Sequence, residues 1–507
     1  MVQSSINHKA KGASAPAGIK HFLVILSFAM IALMAPIAVL AEEAKPAATP
    51  SAAPAVTAPA AQAPAATEPA SAVTPAEAAK PKNVDPVLNT GDTAWMLISS
   101  ALVLFMIPGL AFFYGGMVRQ KNVLSTMMHS FVAMGIVGVQ WVIIGYSLSF
   151  GPDAFMGLIG NTSKMLLNGL ITFGKDGSPV YALFQNVTTE PGSIPEYVFS
   201  MYQCMFAIIT VALISGALAE RIKFSAYCIF VLLWTTLVYD PLAHWVWMTD
   251  GWLFKKGALD FAGGTVVHLS SGISALAALI FLGKRHGFPT ERMAPHSLPL
   301  TMLGVGMLWF GWYGFNAGSA IVGANCSDAA GGLAGLAMTT TTIAPAAAGL
   351  SWMVAEWLHS GKPSALGFGS GVVAWLVVIT PAAGFVQPGA ALILGLVAGV
   401  VCYGGVMLKA KLKYDDSLDA FGVHGIGGTT GAILTGVFAT VGAKGLLAGD
   451  VKQFVTQLIA VGAAGAYAFI VTLVIAFVLH KTIGLRVEKE DEIVGLDQTQ
   501  HSESGYN

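Results

Sequence analysis

Eleven times between Trp95 and His480 this chain runs for roughly twenty residues through almost nothing but apolar side chains. No other feature narrows the fold as far. The hydrocarbon layer of a membrane offers no water to backbone N–H and C=O groups, so runs of this length must close their hydrogen bonds internally, as helices. They lie near 94–117, 124–150, 196–219, 224–247, 261–283, 297–318, 329–356, 366–381, 389–409, 421–441 and 453–480. The pattern predicts an all-α membrane protein of eleven transmembrane helices, with the lipid bilayer as its surroundings. Only 10% of residues are charged, and 26 Lys and Arg nearly balance 27 Asp and Glu. That excludes a soluble multidomain protein and leaves no basic stripe for nucleic acid. Cys204, Cys228, Cys326 and Cys402 are scattered and read as buried small hydrophobes. Without a CxxC pattern a structural metal has no support.

The segment before the first run has its own logic. Lys9, Lys11 and Lys20 lead into an apolar stretch from Phe22 to Leu40, and Val39-Leu-Ala41 offers small residues for cleavage. Residues 1–41 therefore read as a secretory signal peptide, with an uncleaved anchor helix as the alternative. Residues 42–90, rich in Ala, Pro and Thr, read as a disordered linker. The membrane domain is 91–483, and 484–507 form a charged tail. Arg119 with Lys121, Arg221 with Lys223, Lys284 with Arg285 and Arg292, and Lys409 with Lys411 and Lys413 fall on alternate loops, together with Lys362. Basic loops stay cytoplasmic. The expected location is a cell inner membrane, multi-pass, with the N-terminus outside (periplasmic) and the C-terminus cytoplasmic.

Ionisable groups at membrane depth are rare and are functional candidates by default. The fifth span carries Asp260 before Gly263, Gly264 and His268; the tenth carries Asp419 before Gly422, His424, Gly425, Gly427 and Gly428. Five spans followed by five predict an inverted repeat, the arrangement in which a transport site forms between the halves. Gly264, His268 and Gly272 share one helical face, and small residues there let a neighbouring backbone approach. Each histidine alone reads as a satisfied core imidazole; two in corresponding segments point to a shared site. Neutral imidazoles sharing one N–H leave a free donor or acceptor. No third ligand accompanies them at metal-site spacing. Trp247, Phe206 and Phe315 with Ser319 fall toward the outer half, either as an interfacial aromatic belt or as a cation–π vestibule. Asp260 is either a proton acceptor or a hydrogen-bonded anion at a helix N-terminus.

The segments DFAGGTVVH, WFGWYGFNAGSA, ALAERIKFSAY and DDSLDAFGVHGIGG resemble the signatures of the ammonium transporter (Amt/Mep/Rh) family, on the bacterial Amt side. The resemblance implies an Amt/Rh-like channel fold, a homotrimer with one pore per subunit, and no cofactor. It implies that Trp247, Phe206 and Ser319 recruit ammonium, or methylammonium as its analogue, with Asp260 in support. Phe206 and Phe315 would stack as a gate, and Trp312, His268 and His424 would line the pore. The tail resembles one that docks a trimeric PII nitrogen-signalling protein. The implied activity is capture of ammonium at an outer aromatic vestibule, its deprotonation, and conduction of ammonia through an apolar pore with separate proton transfer. A sensor of the same fold would need a signalling domain, and a neutral-solute channel has little use for paired aromatics. No nucleophile or cofactor loop accompanies the acids and histidines, so an enzyme is not expected.

Overall fold

The first apolar run forms α1, Thr90–Met117, whose start is fixed by Asn89: its side-chain oxygen accepts the N–H of Asp92 at 3.0 Å. This computed structural model describes residues 88–184, 194–322 and 330–506. The signal-peptide segment, most of the linker, and Cys326 lie outside the described residues. Helix α2 runs over Val123–Gln140, widens through a π turn at Trp141–Gly145 and continues to Phe150. Then come α3 (Glu196–Leu218) and α4, which is Phe224–Trp234, a π turn at Thr235–Tyr239, and Asp240–Trp247. Helix α5 begins as a π turn, Gly264–Leu269, and continues as Ser270–Leu282. Helices α6 (Leu298–Val322), α7 (Ala330–Ser360), α8 (Ala365–Ile379) and α9 (Pro388–Leu412) follow. Helix α10 repeats the pattern of α5: a π turn at Phe421–Gly425, then Ile426–Phe438. Helix α11, Val451–Thr482, is capped by Asp450, which accepts the N–H of Gln453 at 3.0 Å.

Nine helices among the described residues are long and apolar enough to cross a membrane. The shorter α8 and the two-part α10 bring the number to the expected eleven. Both are interior helices. Residues Gly371–Ile379 of α8 are all buried, and no residue of α10 is exposed. The chain is thus a multi-pass membrane protein. One local feature departs from the all-α expectation. The connector between α2 and α3 holds two small antiparallel pairs, β1 (Ile171–Phe173) with β2 (Pro179–Tyr181), and β3 (Leu183–Phe184) with β4 (Ile194–Pro195).

The basic loops holding Arg119, Arg221 and Arg285 meet the one holding Asp415 at one end of the bundle, where their charges are paired. Arg285 reaches Glu220 at 3.0 Å and Asp415 at 2.8 Å, and Arg119 reaches Glu220 at 2.9 Å. The tail straps across the same end. Lys121 Nζ donates to the carbonyls of Glu492 and Ile493, and the carboxylate of Asp497 accepts the N–H of Ser125 near the start of α2.

The two halves match more closely than the sequence reading allowed, and in a different register. Asp260 stands eight residues before His268, and Asp416, not Asp419, stands eight before His424. Both carboxylates cap the π turn that carries the histidine. Asp260 accepts the N–H groups of Gly263, Gly264, Thr265 and Val266 at 2.6–3.0 Å. Asp416 accepts those of Ala420 and Phe421 at 3.1 and 2.8 Å. Asp419 instead takes the place of Gly263: both are left-handed, with φ of 62° and 113°. A short acidic side chain tolerates that region better than most, and its carboxylate pairs with Lys409. Counting glycines in the sequence hid this; counting back from each histidine reveals it.

Candidate functional site

Where α5 and α10 cross, the two imidazoles face each other. The Nδ1 atoms of His268 and His424 are 3.3 Å apart, and the rings are nearly parallel, at 18°. Both side chains are buried. One hydrogen must lie between two nitrogens at that distance, so in the neutral pair one ring carries Nδ1–H and the other accepts it. The donor ring then has a bare Nε2 and the acceptor ring an Nε2–H. The pair therefore offers one acceptor and one donor to whatever lies alongside. His268 Nε2 has no hydrogen-bond partner, so one of those positions is open.

From His268 an unbroken line of rings leads away. Trp312 stacks at 5.4 Å and 18°, with its indole N–H held by Thr380 Oγ1 at 2.9 Å. Phe315 lies 5.3 Å from Trp312 and 6.1 Å from His268. Phe206 stacks on Phe315 at 4.1 Å and 21°, and Trp247 meets the edge of Phe206 at 6.0 Å. The Trp247 indole donates to the backbone carbonyl of Asp260 at 3.0 Å, so the residue that caps α5 also holds the last ring. With its four N–H bonds the Asp260 carboxylate has its acceptor capacity filled.

Beyond the Phe206–Phe315 pair lies a small cavity bounded by Phe206, Trp247, Ser319, Gln203, Phe199 and Phe261, among others. It has about 20 Å³ of room for a water-sized occupant, which is space for one. Ser319 Oγ donates to Phe315 O at 2.8 Å and so keeps lone pairs for a guest. The residues singled out from the sequence fall into three places: Trp247, Phe206 and Ser319 line the cavity, Phe315, Trp312, His268 and His424 follow the line of rings, and Asp260 stands behind the cavity, joined to it through the Trp247 indole. Sequence reasoning missed Gln203, whose buried Oε1 has no partner, and Phe199, which stacks on Phe184 at 3.5 Å. Gln203 lies in the same MYQCMF segment as Phe206 and was open to discovery there. Phe184 comes from a connector with no periodicity to read.

A helical bundle in a membrane, two inverted halves, and a buried apolar line ending in a one-molecule cavity define a transport protein for a small solute. Comparison with known proteins agrees and narrows the class. The Ammonium Transporter Family profile matches residues 94–506. The ammonium transporter of Mycobacterium tuberculosis is 48% identical over 440 residues, covering 82% of this chain and 90% of that protein. Ammonium transporter Amt1 of Archaeoglobus fulgidus is 46% identical over 422 residues, covering 83% and 100%. The crystal structure of Mep2 from Saccharomyces cerevisiae superposes with a TM-score of 0.71 at 34% identity, covering 80% of this chain and 88% of that one. The chain belongs to the ammonium transporter family, whose members are transporters rather than enzymes.

Proposed function

We propose that this protein captures ammonium in the cavity beneath Trp247, strips a proton from it, and passes ammonia between Phe206 and Phe315 and along Trp312, His268 and His424. The observation that carries this reading is the buried, partner-poor histidine pair at the end of an otherwise apolar line. A cation in such surroundings faces an idealised Born cost of about 20 kcal/mol. Removing the proton of an amine-like ammonium, with a pKa of about 10.4, costs only about 5 kcal/mol at neutral pH. The smaller penalty wins, so the neutral form crosses. Potassium has no proton to give up, and selectivity follows without a size filter. Aromatic faces at the cavity contribute about 0.5–2 kcal/mol each toward holding the cation.

The proton travels separately, and the protein works as a homotrimer in a cell inner membrane, with the first span starting outside and the tail in the cytoplasm. There the tail offers a docking surface to a PII nitrogen-signalling protein. The deciding experiment is methylammonium uptake in a strain lacking its own carriers. The unmodified chain should restore uptake, His268→Ala should alter it, and caesium should not enter. Entry of caesium at a similar rate overturns the proposal.

A further inference from the structure

The hydroxyl of Tyr202 occupies a position that no role so far explains. Its ring lies 4.9 Å from that of Phe206, and its oxygen reaches α6. There it lies 3.0 Å from Gly314 O, 2.9 Å from Phe315 O and 3.1 Å from Ser319 Oγ. The site is shaped for it. A Cβ on Gly318 would come within 2.8 Å of the Tyr202 oxygen, and equally close to Ser99. Buried phenol groups find partners, but three on one helix turn, one of them the hydroxyl of a cavity residue, is a specific attachment.

Counting hydrogens shows what the attachment does. Tyr202 and Ser319 have one hydroxyl hydrogen each, and the neighbouring acceptors are two backbone carbonyls and the hydroxyl oxygens themselves. Ser319 places its hydrogen on Phe315 O at 2.8 Å. Tyr202 places its own on a carbonyl of α6 or on Ser319 Oγ. In either arrangement no hydroxyl hydrogen faces the cavity, and Ser319 turns a lone pair toward it. At its Ser319 end the cavity therefore accepts a hydrogen bond from a donor guest and offers no hydroxyl hydrogen to one that must accept.

We infer that Tyr202 is a positioning residue: it ties the Gly314–Ser319 turn to α3 and so fixes the Ser319 lone pair relative to the faces of Phe206 and Trp247. This inference rests on the reading of Ser319 as the acceptor for a captured cation. Losing one such bond typically changes affinity by roughly three- to ten-fold.

The test is concentration-dependent methylammonium uptake by proteoliposomes holding the full chain, the Tyr202→Phe and Ser319→Ala variants, and their double variant. Tyr202→Phe should raise the half-saturating concentration by roughly that factor while leaving the maximal rate nearly unchanged. In the Ser319→Ala background the same change should have no further effect. A normal half-saturating concentration in Tyr202→Phe overturns the inference, as does an undiminished effect in the Ser319→Ala background, which would mean action through packing alone. A loss of maximal rate without an affinity change also overturns it. If the unmodified chain takes up no methylammonium, the proposed function fails; if it does and Ser319→Ala saturates normally, the positioning role fails while transport stands.

Discussion

Gly272 and Gly428 each follow a buried histidine by four residues, and each is the point at which the partner helix crosses. A Cβ on Gly272 would lie 2.0 Å from the backbone nitrogen of Gly425, the residue after His424. A Cβ on Gly428 would lie 2.5 Å from that of Leu269, the residue after His268. The relationship is reciprocal, as a two-fold axis between α5 and α10 demands. It fixes the spacing of the imidazoles from behind, through backbone contact.

Gly272→Ala and Gly428→Ala should therefore have the same phenotype. Each forces the crossing apart at a cost of about 1–3 kcal/mol, lowers the thermal midpoint in detergent, and removes most uptake. Gly462→Ala, on α11 where nothing lies within 4 Å of an added Cβ, is the control and should be neutral. Normal uptake by both crossing variants would show that the histidine spacing is not set here.

The capping carboxylates can be compared in the same way. Asp260→Ala leaves four N–H groups without their acceptor and should abolish uptake, while Asp260→Glu retains part of it. Asp416→Ala frees two and should weaken the start of α10 by about 1 kcal/mol, read as faster hydrogen exchange at Ala420 and Phe421. Equal, near-normal flux in Asp260→Ala and Asp260→Glu would remove any role for that carboxylate.

The paired loops give the protein a defined acid limit. Burial raises the Asp415 carboxyl, but the Arg221 and Arg285 guanidiniums more than reverse this and bring it to about 2, from an ordinary 3.8. A lowered acid stabilises the fold where it is ionised. Its contribution is present above 3.8 and is lost as the pH falls through about 2. Asp415→Asn should cost about 3–5 kcal/mol near neutrality, because it strands buried arginines. Thermal midpoints of the two proteins should converge as the pH falls toward 2. A gap that is independent of pH would assign the effect to packing.

Much of this was legible in the sequence because a membrane restricts the chain so severely. Apolar runs mark the helices, and the unusual polar residues inside them, His268 and His424, mark the two segments that the fold brings into contact. What escaped notice depends on contacts between distant segments. Asp419 stands out in the sequence through the glycines that follow it, whereas the equal distance to the histidine picks out Asp416. In the sequence the basic loops mark orientation alone, whereas Arg285 sits between Glu220 and Asp415 in an ion network that no local pattern announces. Tyr202 and Gln203 sit one turn from Phe206, but only three-dimensional proximity to Ser319 or to the cavity separates them from ordinary packing residues.

At a centroid separation of 4.1 Å, Phe206 and Phe315 are already in contact, since carbon atoms meet at about 3.5–4.0 Å. No guest of any size fits between them as they stand. On the route proposed above, each molecule passed would require a swing of these two aromatic side chains. The throughput of such a route would be that of a turnstile, counted in rotations per second, and a bulkier amine would be slowed by the arc the rings must sweep more than by the width of any hole.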